Sequence, residues 1–201
     1  MTLIKICGLF RSIDIAYANQ AKPDYIGFIL NVGKSHRNLS IEQALELRKG
    51  LDAGIQVVGV FVDENKDVIL EASRRIGLDV IQLHGSESNG FIEDLKTSTQ
   101  KPIWKAFKVK DARDIQLASL SKADMVLLDG GSGDGLVFDW SLLKDFNRPF
   151  ILAGGLKIET IKEALGTGAA ILDLSSGVES DGVKDLNKMI AVVTAVRKEG
   201  R

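Results

Sequence analysis

A chain of 201 residues, 45% hydrophobic and 26% charged, has the balance of an ordinary globular protein and enough length for one full core. Its formal net charge of −1 and pI of about 6.2 exclude the basic excess needed to wrap nucleic acid or sit on an anionic membrane. A single cysteine allows no internal disulfide, no apolar run nears the roughly 18 residues of a spanning helix, and no charged-then-apolar leader opens the chain, so a cytoplasmic protein is expected.

The predicted elements alternate from the start. "LIKIC" (3–7) reads as a strand and the following "SIDIAYANQA" as a helix. "YIGFIL" (25–30) precedes "SIEQALELRKG" (40–50), where Ser40 and Gln43 have capping-box spacing and Ile41, Ala44, Leu45 and Leu47 share one face. "VVGVFV" (57–62) is followed by "VILEASRRIG" (68–77), and "DVIQLH" (79–84) by "GFIEDLKTS" (90–98). "PIWKAF" (102–107) and "MVLLD" (125–129) lead into short helical stretches, "ARDIQLASL" and "DWSLLKDF". "PFILAGG" (149–155) precedes "IETIKEALG" (158–166), and "AILDL" (170–174) precedes "KDLNKMIAVVTAVRK" (184–198).

Short, nearly unbroken apolar runs are the mark of parallel strands buried on both faces. Eight strand–helix pairs of roughly 25 residues fill the chain and predict one α/β domain over 1–201. A doubly wound sheet carries its Gly-rich turn after the first strand, whereas "KICGLFRS" has none and the Gly-rich turns follow strands seven and eight. That is the phosphate position of a (β/α)8 TIM barrel, which is therefore the expected fold, trimmed to short loops.

Barrel strands alternate between interior and helix layer. Lys5 and Cys7 share a face, as do Gln82 and His84; Asp129 ends strand six and Asp173 lies in strand eight. Bare polar groups inside such strands cost a few kcal/mol, so they are expected to point toward the wet upper end. Strands one and eight adjoin in a closed barrel, which predicts a Lys5–Asp173 ion pair. Such a pair can be purely stabilising; the functional reading adds that an ammonium beside Cys7 favours its thiolate.

"LAGGLKIET" (152–160) places Gly154–Gly155 before a helix, and "LDLSSGVES" (172–180) places Ser175–Ser176–Gly177 before a short turn. Small residues let backbone amides approach a dianion. The turns after strands three and four, "VDENK" and "HGSES", hold no glycine pair, so one anchored phosphate is expected. "GGSGDG" (130–135) is either a linker or a loop that closes over substrate. In "GKSHR" (33–37), Arg37 can offer paired N–H donors to a carboxylate. With only His36 and His84 in the chain, a multi-histidine metal site is excluded.

"KICG", "GF…SxR", "VGVFV", "QLHG", "LLD…FDW", "AGGL" and "SSGVE" ahead of "GVKD" stand in an order and spacing that resembles the phosphoribosylanthranilate isomerase family, from Lys5 to about Asp185. The resemblance implies an Amadori rearrangement of N-(5'-phosphoribosyl)anthranilate in tryptophan biosynthesis, on a small phosphorylated substrate and without a cofactor. It implies Cys7 as general base, Asp129 as general acid and Arg37 on the anthranilate carboxylate. The phosphate turns fall on Gly154, Gly155, Ser176 and Gly177, and His84 and Asp173 join the expected substrate-binding set. Fusion to, or a complex with, the next enzyme of the pathway stays open. Three positions depart from the family pattern: Gly33 replaces a frequent proline, Phe10 a small polar residue, and Asp181 adds negative charge near the expected phosphate. The rivals are the two-phosphate isomerase of histidine biosynthesis, a Schiff-base aldolase using Lys105, and a non-catalytic barrel that binds a phosphorylated metabolite.

Overall fold

Eight parallel strands close into a barrel in the computed structural model, which describes residues 1–131 and 138–199. They are β1 (Leu3–Cys7), β2 (Tyr25–Leu30), β3 (Gln56–Phe61), β4 (Val80–Leu83), β5 (Ile103–Lys108), β6 (Met125–Asp129), β7 (Phe150–Ala153) and β8 (Ile171–Leu174). Each pairs with its neighbour in chain order, and β1 closes the ring by pairing with both β2 and β8. Among the described residues seven α-helices surround the strands: α1 (Ser12–Ala21), α2 (Ile41–Lys49), α3 (Lys66–Ile76), α4 (Asn89–Ser98), α5 (Ala112–Ser119), α6 (Ile161–Leu165) and α7 (Leu186–Glu199). The capping box of α2 forms reciprocally, with Gln43 N donating to Ser40 Oγ at 3.2 Å and Ser40 N donating to Gln43 Oε1 at 2.8 Å.

The helix expected over "DWSLLKDF" is one 3₁₀ turn, Trp140–Leu143. Asp139 caps it through the Ser141 amide at 2.9 Å, and the chain leaves it by a turn at Lys144–Asp145 on its way to Pro149 and β7. The glycine-rich loop 130–135 lies, after Gly131, outside the described residues. Among the described residues no helix is long and apolar enough to cross a membrane.

Strand alternation divides the core in two. Val58, Val60, Val80, Trp104, Leu127, Ile151 and Ile171 pack with Cys7 inside the barrel. Ile4, Ile6, Phe28, Phe61, Ile81 and Leu128 pack outward against the helices. Lys105 lies between Trp104 and Ala106, both interior, and so leaves the barrel on the helix side. There its Nζ donates to the carbonyls of Gly85 at 2.7 Å and Ala106 at 3.0 Å and sits 3.2 Å from Glu87. A lysine pinned in this way outside the interior is not placed to form a Schiff base in the cleft. Glu87 also accepts the Asp63 and Gly85 amides, each at 2.9 Å, tying together the turns after β3 and β4.

Candidate active site

A cavity of about 350 Å³ opens at the C-terminal ends of the strands. Cys7, Arg37, His84, Asp129, Gly154, Gly155, Asp173, Ser176 and Gly177 all line it, so every site residue expected from the sequence faces one space. Cys7 and Asp129 both open onto this cavity. Their strands, β1 and β6, are separated by β8 and β7, so the thiol and the carboxyl flank the two phosphate turns.

At the floor, parallel register sets Lys5 beside Asp173, and the expected ion pair is present, with Nζ to Oδ2 at 2.8 Å. Lys5 is fully buried. Burial works against its charge, but Asp173 and then Cys7 outweigh burial and hold the ammonium pKa above its usual value. Cys7 behaves contrary to expectation. Burial pushes its thiol up, Lys5 draws it down, and Asp173 pushes it up again, for a net rise. An ammonium already neutralised by a carboxylate lacks the field to hold a buried thiolate. Gly27, beside Cys7 on β2, makes room for the sulfur: a Cβ there would sit 2.7 Å from Sγ.

Asp129 has the opposite bias. Burial would raise its carboxyl, but the His84 hydrogen bond and charge, the Gly131 amide and Lys108 hold it below the usual range. The Gly131 amide donates to Oδ1 at 2.8 Å, and His84 Nε2 stands 3.6 Å from Oδ2. Gln82 Nε2 lies 3.2 Å from His84 Nδ1; with the amide donating there, the ring proton sits on Nε2, toward Asp129. Lys108, at the end of β5, had no place in the expected site, because one lysine closing a strand reads as solvated surface.

The turn after β7 carries Gly154 and Gly155 at φ 86° and 68°. The turn after β8 is a 3₁₀ turn, Ser176–Val178. The two are in backbone contact, since a Cβ on Gly177 would run into the Leu156 carbonyl. Ser175 Oγ donates to the Cys7 carbonyl at 3.1 Å and binds this corner to β1.

Arg37 grips a carboxylate of the protein itself. Its Nε donates to Glu179 Oε1 at 2.8 Å and its Nη2 to Oε2 at 2.6 Å. Lys184 Nζ donates to the same Oε1 at 2.6 Å and to the Ser175 carbonyl at 3.1 Å. Burial pushes the Glu179 carboxyl up, yet Arg37 and Lys184 hold it below its usual range. Glu179 and Lys184 come from a hairpin of two-residue strands, Glu179–Ser180 and Val183–Lys184, too short for any periodicity to show. The departures from the family pattern settle around this loop. Phe10 packs edge-to-face on His36, with ring centroids 6.0 Å apart, and its amide donates to Asp14 Oδ2 at 3.0 Å. Asp181 is exposed at the hairpin turn and does not line the cavity, so its charge lies outside the cleft proper.

The model of the family described as N-(5'-phosphoribosyl)anthranilate (PRA) isomerase matches residues 4–195. An N-(5'-phosphoribosyl)anthranilate isomerase from Endomicrobium trichonymphae is 44% identical over 203 residues, covering 98% of this chain and 99% of its own. The crystal structure of phosphoribosyl anthranilate isomerase from Thermotoga maritima superposes with a TM-score of 0.88 at 31% identity, covering 98% of this chain and 100% of its own. A phosphoribosyl anthranilate isomerase in complex with reduced 1-(o-carboxyphenylamino)-1-deoxyribulose 5-phosphate superposes with a TM-score of 0.87 at 30% identity, with coverage of 98% and 100%.

Proposed function

The chain belongs to the N-(5'-phosphoribosyl)anthranilate isomerase family, and on that premise we propose that its cleft performs the Amadori rearrangement of this substrate in tryptophan biosynthesis. The product is 1-(2-carboxyphenylamino)-1-deoxyribulose 5-phosphate. The observation that carries the reading is the convergence of a thiol, a carboxyl group, an arginine and two small-residue turns on one cavity.

The turns after β7 and β8 anchor the phosphate through backbone amides, and Arg37 takes the anthranilate carboxylate. Asp129, protonated, delivers its proton to the ribose ring oxygen as the C1′–O bond breaks and the anilino nitrogen forms a Schiff base. Cys7, as thiolate, removes the proton from C2′, and the resulting enolamine tautomerises to the ketone. Placement on either side of the phosphate strands lets the two groups work on neighbouring atoms of one sugar.

The unliganded cleft holds the proton in the other place. Cys7 is biased toward thiol and Asp129 toward carboxylate. The proton count is right, but the active form is the minor tautomer. Ordinary pKa values near 8.5 and 3.9 alone put it at about one part in 10⁴–10⁵. Substrate therefore has to narrow the gap as well as bind. A phosphate dianion held at Gly154 lies next to Asp129, since a Cβ on that glycine would be 2.5 Å from Oδ1, and it raises the carboxyl pKa by like-charge repulsion. His84, neutral and with Nε2–H toward Asp129, orients the carboxyl and is not its proton source.

The test is to follow the loss of phosphoribosylanthranilate fluorescence with purified protein. Cys7→Ser and Asp129→Asn should each lose orders of magnitude in kcat while keeping the wild-type circular dichroism spectrum. Wild-type turnover by either variant removes that residue from the mechanism.

A further inference from the structure

Arg37 has five N–H donors in a planar fork, and two edges of that fork can each grip a carboxylate. Glu179 occupies the Nε/Nη2 edge, at 2.8 and 2.6 Å. Among the described residues Nη1 makes no hydrogen bond, so the Nη1/Nη2 edge is left for a second acceptor while Arg37 lines the cavity. The holder is itself held. The Glu179 side chain is 5% exposed, Lys184 donates to its Oε1 at 2.6 Å, and Lys188 donates to its backbone carbonyl at 2.6 Å. Gly8 packs on the Arg37 stem so closely that a Cβ there would stand 2.5 Å from Cδ. Two cations share one carboxylate, so the cluster keeps a positive charge in excess and Glu179 does not cancel the arginine.

We propose that Glu179 is a positioning residue for carboxylate recognition: it fixes one edge of Arg37 so that the other is presented to the arene carboxylate of the substrate, with Lys184 supplying the charge that keeps the cluster cationic. This rests on the assignment of Arg37 made above. A purely structural ion pair would show the same distances, so the test separates stability from recognition.

The variant Glu179→Gln/Lys184→Met removes both members of the buried pair, avoiding the stranded charge that either single change leaves. Glu179→Asp is the second variant: it keeps the charge but, one methylene shorter, holds its carboxylate back from Arg37. The probes are reduced 1-(o-carboxyphenylamino)-1-deoxyribulose 5-phosphate and its aniline counterpart, identical but without the carboxyl group, titrated into full-length protein whose melting curve confirms folding. Outer partners that orient a binding group are worth about 10–100-fold where measured around metal ligands. Both variants should weaken the carboxylate-bearing ligand by a factor in that range, leave the aniline ligand within about twofold, and raise KM with kcat nearly unchanged. Equal weakening of the two ligands, or wild-type affinity for the first, overturns the proposal. Wild-type protein that binds both ligands alike overturns the Arg37 assignment instead.

Discussion

The Lys5–Asp173 pair lends itself to a quantitative prediction. Replacing Lys5 by methionine fills most of the same volume but strands Asp173, which is 8% exposed and whose Oδ1 already has no partner among the described residues. Removing one member of a buried pair costs about 3–5 kcal/mol, which for a domain of this size lowers Tm by roughly 6–20 °C. The loss depends on pH with a definite sign. Burial already raises the Asp173 carboxyl, and without Lys5 only the smaller pull of His84 still draws it down. A folded pKa above the unfolded value of about 3.9 leaves the variant's stability intact below about pH 4 and removes it as pH rises through the raised folded value. Urea unfolding followed by circular dichroism should show the full deficit at pH 7.5 and a much smaller one at pH 4.5. Lys5→Met/Asp173→Leu removes both charges and should recover most of the loss at pH 7.5. A Lys5→Met protein within about 1 kcal/mol of wild type at pH 7.5, or a double variant whose deficit equals the sum of the singles, would show that the pair is not coupled as its 2.8 Å geometry implies.

Two further predictions concern the cleft. Gly177→Ala drives a methyl group into the Leu156 carbonyl and parts the two turns, so KM and the inhibition constant of inorganic phosphate should each rise roughly tenfold or more; an unchanged phosphate constant would place the anion elsewhere. Because Cys7 is the only cysteine, ultraviolet thiolate absorbance corrected for ionisation of the two tyrosines reports it, and its midpoint in the free enzyme should fall above the ordinary value of about 8.5. A midpoint near 7 would mean that Lys5 activates the thiol before substrate arrives.

Legibility followed the range of the interaction. The strands were readable because runs such as "YIGFIL" and "MVLLD" are apolar on both faces, and both stand at their expected bounds. The Lys5–Asp173 contact followed from two pieces of geometry, strand alternation and ring closure. The protonation of Cys7 was not readable, since it turns on how far one carboxylate cancels one ammonium in a dry site, a matter of ångströms. Glu179 and Lys184 stood inside "SSGVE" and "GVKD" but were given no role, for a different reason. Their hairpin owes its place to side-chain charges, and two-residue strands carry no pattern of their own. Gly27 read as an ordinary strand residue, because a vacancy shaped for a neighbour's sulfur leaves no trace in its own segment.

The tie between Glu87 and the rim has a bearing on which sugars can enter. Around the ring, the corners after β3 and β4 lie half a turn from those after β7 and β8. At the former pair, a glutamate side chain already plays the anion's part, capped by two main-chain donors and backed by an ammonium that is 6% exposed. A molecule bearing phosphates at both ends would have to evict that resident and leave its cation unmatched. On the proposed reading the cleft keeps one corner for an anion, while the opposite corner is filled by a residue that does not line the cavity.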